Sequence, residues 1–255
     1  MIYVMDKLEE KMTLSLTRSD IAAIRARMVL KGQAFIDGRL TDAASGETFD
    51  NISPRDGSVI AKVAACDTED VDRAVRAARR AFDAGVWRDR SPKERKKVLQ
   101  RFADLFEKNM DELAVLETLD MGKPILESRT IDVNVVLDTL QWYAECPDKL
   151  YDEISPTGPG QLGMITREPI GVVGAVVPWN FPMLMAAWKF APALATGNSV
   201  ILKPAEQSPL TAIRMAELAS EAGIPDGVFN VLPGFGHTVG EALAMHMDVD
   251  CITFT

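Results

Sequence analysis

The chain has 255 residues, of which 47% are hydrophobic and 25% charged, a composition that suits a globular domain and excludes fibrous or disordered classes. That length is enough for one large α/β domain or two smaller ones. A formal net charge of −9 repels phosphate backbones, and the one basic run, Arg88 to Arg101, reads as the solvated face of a helix, so no nucleic-acid partner is expected.

In chain order, residues 1–33 read as an N-terminal extension whose one periodic feature is a short helix around Asp20 to Met28. Asp6, Glu9 and Glu10 make its start unlike a secretory signal or an Arg-rich transit peptide, and the three cysteines, Cys66, Cys146 and Cys251, form no CxxC pair. Neither a disulfide framework nor a metal site is expected, and a reducing, cytoplasmic setting fits these features.

Residues 34–147 read as strands followed by a helical layer. The apolar runs "AFIDG", "ETFDNISP" and "SVIAKVA" are separated by turn residues, which predicts a small antiparallel hairpin region from Ala34 to Val63. Thr68 caps a helix with Val71, Val75, Ala78 and Phe82 on one stripe. Ser91, Pro92 and Glu94 form a capping-box start to the next helix, which buries Val98, Phe102 and Leu105 or Phe106 and breaks by Gly122 and Pro124. A third helix covers about Leu126 to Ala144. Residues 148–168 then give two extended runs around "SPTGPG", a protruding hairpin whose edges suit either subunit pairing or a plain surface excursion.

Residues 169–255 alternate regularly. Strands are predicted at Gly171 to Val177, Ser199 to Lys203, Val228 to Leu232 and Cys251 to Phe254, and helices at Met183 to Ala195, Leu210 to Ala222 and Thr238 to Met245. Ser208 and Pro209 open the middle helix and Gly223 closes it. Connections of this length predict a Rossmann-like parallel sheet with helices on both faces. The apolar stretch Pro169 to Leu202 is interrupted by Pro178, Asn180, Pro182, Lys189 and Pro192, and reads as a buried βαβ unit, not a membrane span.

Ligands bind such sheets beyond the carboxyl ends of the strands, which singles out the loops Pro178 to Pro182, Lys203 to Ser208 and Pro233 to Val239. Asn180 either caps the following helix or offers its amide to a developing oxyanion. Lys203 and Glu206 are either a snorkelling lysine and a solvated glutamate, or a pair for ribose hydroxyls; the carboxylate would then repel a 2′-phosphate and favour NAD over NADP. Gly234, Gly236 and Gly240 follow a strand without GxGxxG spacing, and a tight βα turn accounts for them as well as a nucleotide does. Lys189, between Trp188 and Phe190 in an apolar helix, either snorkels or joins a proton relay. His237 and His246 are isolated and receive no role.

From Ala34 to Thr255 the chain resembles the aldehyde dehydrogenase superfamily, through "FIDG", "LETLDMGKP", "REPIGVVGAVVPWNFP", "AWKFAPALATGNSVILKPAEQSPLTAI", "EAGIPDGVFNVLPGFG" and "DVDCITFT". Within it, the chain is similar to bacterial enzymes that oxidise aminoaldehydes, such as gamma-glutamyl-gamma-aminobutyraldehyde dehydrogenase. The resemblance implies NAD(P)-dependent oxidation of an aldehyde to a carboxylic acid, and a homo-oligomer formed through the hairpin. It implies that Asn180 is the oxyanion amide, Lys189 the charge-relay lysine, and Lys203 with Glu206 the clamp on the adenosine ribose. Val177, Pro178, Trp179 and Ala205 would line the cofactor cleft, with Gly236 near the adenine. Phe181, Leu184, Met185 and Trp188 would wall an aldehyde tunnel, and Asp132 is either a contact for an amino-substituted aldehyde or a solvated helix charge. In the family a glycine-serine turn, a general-base glutamate and a nucleophilic cysteine follow "FT", so the expectation is a truncated, cofactor-binding portion without the catalytic domain and inactive alone. The alternative is a non-catalytic nucleotide-binding or oligomerising module.

Overall fold

The computed structural model describes residues 16–255; the start of the expected extension, with Asp6, Glu9 and Glu10, lies outside the described residues. Helix α1 (Arg18–Arg27) begins at Thr17, which forms a capping box with Asp20. Strands β1 (Ala34–Ile36) and β2 (Arg39–Thr41) make a tight hairpin. Its turn holds Asp37 at φ 53, a left-handed conformation that is costly for a residue with a Cβ. The N–H of Asp37 donates to Asn230 Oδ1 at 3.0 Å and its carboxylate pairs with Arg80, and these contacts offset the strain.

Strands β3 (Thr48–Ile52) and β4 (Val59–Ala64) form a separate hairpin. The single hairpin region expected here is therefore corrected: β1 also pairs antiparallel with β9 (Phe229–Val231) and belongs to the main sheet.

The helical layer comprises α2 (Thr68–Asp83), α3 (Pro92–Lys108), α4 (Met110–Met121) and α5 (Ile125–Glu127). Helix α5 runs through a π-helical turn at Ser128–Asp132 into α6 (Val133–Glu145). Asp67, not Thr68, caps α2, because its carboxylate reaches the Glu69 N–H. Phe82 is not in the buried stripe; Ala81 is, and the Arg88 guanidinium lies 4.8 Å from the centre of the Phe82 ring. The Ser91 capping box forms as expected, but α3 ends at Asn109, and Gly122, at φ 79, closes α4. Two members of the basic run are structural and not merely solvated: Arg95 donates to the carbonyls of Arg88 and Arg90, and Arg101 to that of Ala222. Trp87, in the α2–α3 connection, is 1% exposed and donates its indole N–H to the Leu194 carbonyl at 2.9 Å.

After the antiparallel hairpin β5 (Glu153–Ser155) and β6 (Gly163–Ile165) come β7 (Val172–Val176), α7 (Pro182–Ala195), β8 (Ser199–Lys203), α8 (Leu210–Ala222), β9, α9 (Glu241–Met245) and β10 (Cys251–Phe254). The helix expected from Thr238 starts instead as a π-helical turn over Gly236–Gly240. The sheet order is β10-β7-β8-β9-β1-β2, with the first four strands parallel.

Side chains alternate across these strands and build two cores. Val173, Val200 and Leu202 meet α3, α6, α7 and α8 on one face, where Phe190 sits between Phe102 and Phe229. Val172, Ile201 and Leu232 meet α2 and α9 on the other. Among the described residues no helix is long and apolar enough to cross a membrane.

Ser208 does not cap α8; its hydroxyl donates to the Trp179 carbonyl at 3.4 Å. The cap comes from another element: the Leu210 N–H donates to the Asp120 carboxylate of α4 at 2.7 Å. When ionised, this carboxylate also meets the positive end of the helix dipole.

Candidate functional site

The parallel strands finish level, with Val176 beside Lys203 and Leu202 beside Val231. Their three following loops therefore leave the same edge of the sheet, and that edge is the candidate site. The Val177 N–H donates to the Lys203 carbonyl at 3.1 Å, and the Ser208–Trp179 contact ties the first loop to the second.

Lys203 is 2% exposed, and its Nζ lies 3.1 Å from Glu206 Oε2. Burial lowers the pKa of its ammonium, and Glu206 partly offsets this. A head group this deep is not snorkelling, and one partner leaves N–H donors for a further acceptor. Ala205 is buried beside it, while the Glu206 side chain is 33% exposed.

Asn180 does not cap α7: Phe181 occupies the cap position without a side-chain bond, and the Asn180 side chain is exposed at the rim beside the half-buried Pro178 and the exposed Trp179. Gly234, at φ 146, is required by the turn, since a Cβ there would press on Val239 and the Cys66 carbonyl. Gly236 is different. A Cβ at Gly236 would meet nothing within 4 Å, so the tight-turn account leaves this glycine unexplained by the chain itself.

Phe181, at the cap of α7, and Leu184, Met185 and Trp188 within it recur at helical spacing, but the structure separates them. Leu184 is buried in the core and Met185 is half-buried, whereas Trp188 is exposed beside Trp142 and Tyr143. The Phe181 ring lies 3.8 Å from Lys123 Nζ. Lys189 reaches β10, with Nζ 2.6 Å from Thr255 Oγ1 and 3.3 Å from Thr253 Oγ1, and burial lowers its pKa.

Behind the rim lies a group of buried acids, of which sequence reasoning singled out only Asp132. Asp132 is 1% exposed and bonded to Lys123 at 2.5 Å, so it is not a solvated helix charge. Glu117 is fully buried with neither carboxyl oxygen hydrogen-bonded, and burial, then Asp132 and Asp120, push its pKa up to about 8. Burial likewise pushes Asp120 up to about 7, against hydrogen bonds from Leu210, Asn51 and Thr211. The signal was present: Leu113, Leu116, Glu117 and Asp120 follow the spacing of a buried helix face, with acids in apolar positions.

None of the three thiols suits a nucleophile at this rim. Cys66 lies beneath the Gly234 turn but is buried, which raises its pKa. Cys146 sits in the turn after α6, and Cys251 starts β10, at the far end of the strand from the rim.

A parallel sheet with convergent polar loops at its carboxyl edge defines a dinucleotide-binding type of α/β protein. Residues 40–255 match the aldehyde dehydrogenase family, and the chain belongs to that family. It is 55% identical over 244 residues to the aminoacetaldehyde dehydrogenase of Pseudomonas aeruginosa, a match that covers 96% of this chain and 49% of that one. It is 52% identical over 228 residues to the NADP/NAD-dependent aldehyde dehydrogenase of Escherichia coli, covering 89% and 46%. The indole-3-acetaldehyde dehydrogenase of P. syringae, solved with NAD+, superposes with a TM-score of 0.92 at 60% identity, covering 94% of this chain and 48% of that one. The gamma-glutamyl-gamma-aminobutyraldehyde dehydrogenase of Burkholderia cenocepacia does so at 0.91 and 58%, with the same coverage. The chain spans about half the length of the curated relatives it matches.

Proposed function

We propose that the chain is the N-terminal, cofactor-binding portion of an NAD-dependent aldehyde dehydrogenase acting on an amino-substituted aldehyde. The observation that carries this is the buried Lys203, paired with Glu206 at the carboxyl end of β8 and retaining N–H donors. In this reading Lys203 donates to the adenosine ribose and Glu206 accepts from it. Val177, Pro178, Trp179 and Ala205 line the cleft, and Gly236, with open space around it, leaves room for the adenine. The nicotinamide, when bound, accepts the hydride. Asn180 offers an exposed amide to the aldehyde oxygen, and the exposed Phe181 and Trp188, with the half-buried Met185, form the wall the aldehyde passes, while Leu184 backs it from the core. Lys189, with its lowered pKa and two hydroxyl neighbours, is placed to hand on a proton.

The names of the Pseudomonas and Burkholderia relatives support an amino-substituted substrate. The free thiols suit a reducing, cytoplasmic setting, and the hairpin supplies a surface for a homo-oligomer. Because no cysteine among these residues suits the nucleophile, the 255-residue chain alone binds NAD without turnover.

Calorimetric titration tests this. Saturable NAD binding is expected, with affinity falling about tenfold or more in Lys203→Ala. Glu206→Gln is expected to weaken NAD and narrow its advantage over NADP. Absence of saturable binding by the parent chain would overturn the cofactor reading, and NADH production from an aldehyde by this chain alone would overturn its inactivity.

A further inference from the structure

The loop carrying Lys203 and Glu206 is held from behind by two buried side chains. Asp120, on α4, is 1% exposed, and Asn51, on β3, is 1% exposed. Asp120 Oδ2 accepts the Leu210 N–H at 2.7 Å, which fixes the start of α8 where the loop ends. Asp120 Oδ1 accepts from Asn51 Nδ2 at 3.0 Å, and the same Nδ2 lies 3.2 Å from the Gln207 carbonyl, which it also serves as donor. One carboxylate and one amide thus grip the loop at Gln207 and Leu210, immediately after Glu206.

We propose that Asp120 and Asn51 are positioning residues for the cofactor clamp: they form a strut that keeps the 203–208 loop in the conformation presenting Glu206 to Lys203 and to the ribose. This rests on the reading of Lys203 and Glu206 given above. Both strut residues are buried and bonded to the loop backbone, so each acts through the loop and not by touching the ligand. The backbone also braces the loop, through the Val177 N–H on the Lys203 carbonyl and the Ser208 N–H on the Ala205 carbonyl, both at 3.1 Å, but neither bond holds Gln207. The loop's other side-chain anchors are the long Ser208–Trp179 contact and the Lys203–Glu206 pair itself.

The test uses the 255-residue chain and two measurements. Hydrogen exchange reads the loop directly, and NAD titration reads its consequence. In Asp120→Ala, amides from Gln207 to Ile213 are expected to exchange about tenfold faster while those of β7 and α3 keep their rates, and NAD affinity is expected to fall about tenfold. Asn51→Ala, which leaves the helix cap in place, is expected to accelerate exchange near Gln207 and weaken NAD about threefold, and it carries the test if Asp120→Ala does not fold.

In a Glu206→Gln background the NAD penalty of Asp120→Ala is expected to shrink, because the strut and the clamp act through one loop. A uniform rise in exchange over the whole sheet would show a general stability role and overturn the proposal. So would an unchanged loop, or an NAD penalty just as large in the Glu206→Gln background. If the parent chain shows no NAD binding, the clamp reading fails, and the proposal of a cofactor-positioning strut falls with it; local loop exchange would then report only a structural tether.

Discussion

Glu117 shows how a single residue ties the stability of the chain to pH. It is buried with both carboxyl oxygens unpaired, facing Asp120, Asp132, Lys123 and Thr211, and its pKa rises from an ordinary 4.5 to about 8. Between those values the folded state holds a proton that the unfolded state has released. Stability is therefore greatest at low pH within this window and falls as pH rises through it, by at most about 1.4 kcal/mol per unit for this group. Asp120, also raised, acts in the same direction. Glu117→Gln keeps the neutral shape and removes the titration. Denaturant midpoints measured from about pH 5 to about pH 8 should fall more steeply for the parent than for the variant; parallel curves would refute this.

At the scale of elements, two helix starts that look equivalent in sequence behave differently. Ser91 and Glu94 satisfy each other's backbone groups within one turn, and Ser91→Ala should cost about 1 kcal/mol of stability. Ser208 precedes a proline in the same way but leaves the cap to Asp120, so Ser208→Ala should cost well under half as much. Chemical denaturation of the pair decides it, and equal losses would contradict the assignment. This contrast also marks what was legible. The capping box, the αL glycines ending α4 and α8, and the parallel strands are written in neighbouring residues. The Asp120 cap joins residues 90 apart, and the β1–β9 pairing joins strands from opposite ends of the chain, so no local pattern announces either.

At the scale of the molecule, one sheet separates two cores and delivers its loops to one edge, which is why the rim could be anticipated, whereas the partners of the buried Asp120 behind it lie 69 and 90 residues away in the chain. The β5–β6 hairpin projects apolar side chains that this chain does not cover: Ile154 is 75% exposed, Leu162 71% and Met164 67%. Contiguous exposed apolar surface of this kind favours association. Sedimentation velocity should show the parent chain self-associating and an Ile154→Lys, Met164→Lys variant shifted to monomer with unchanged circular dichroism. An unchanged sedimentation coefficient would move the association surface elsewhere.

The four tryptophans divide in a way that makes the chain its own optical reporter. Trp87 is sealed in the core with its indole bonded to the Leu194 carbonyl, whereas Trp142, Trp179 and Trp188 are 71%, 56% and 53% exposed. Emission from the native chain thus combines one blue-shifted fluorophore with three solvent-relaxed ones. Quenching of the exposed indoles by an occupant beside Trp179 or Trp188 leaves the remaining emission bluer, and a red shift signals that the Trp87 enclosure has opened, so the direction of the shift distinguishes ligand capture from unfolding.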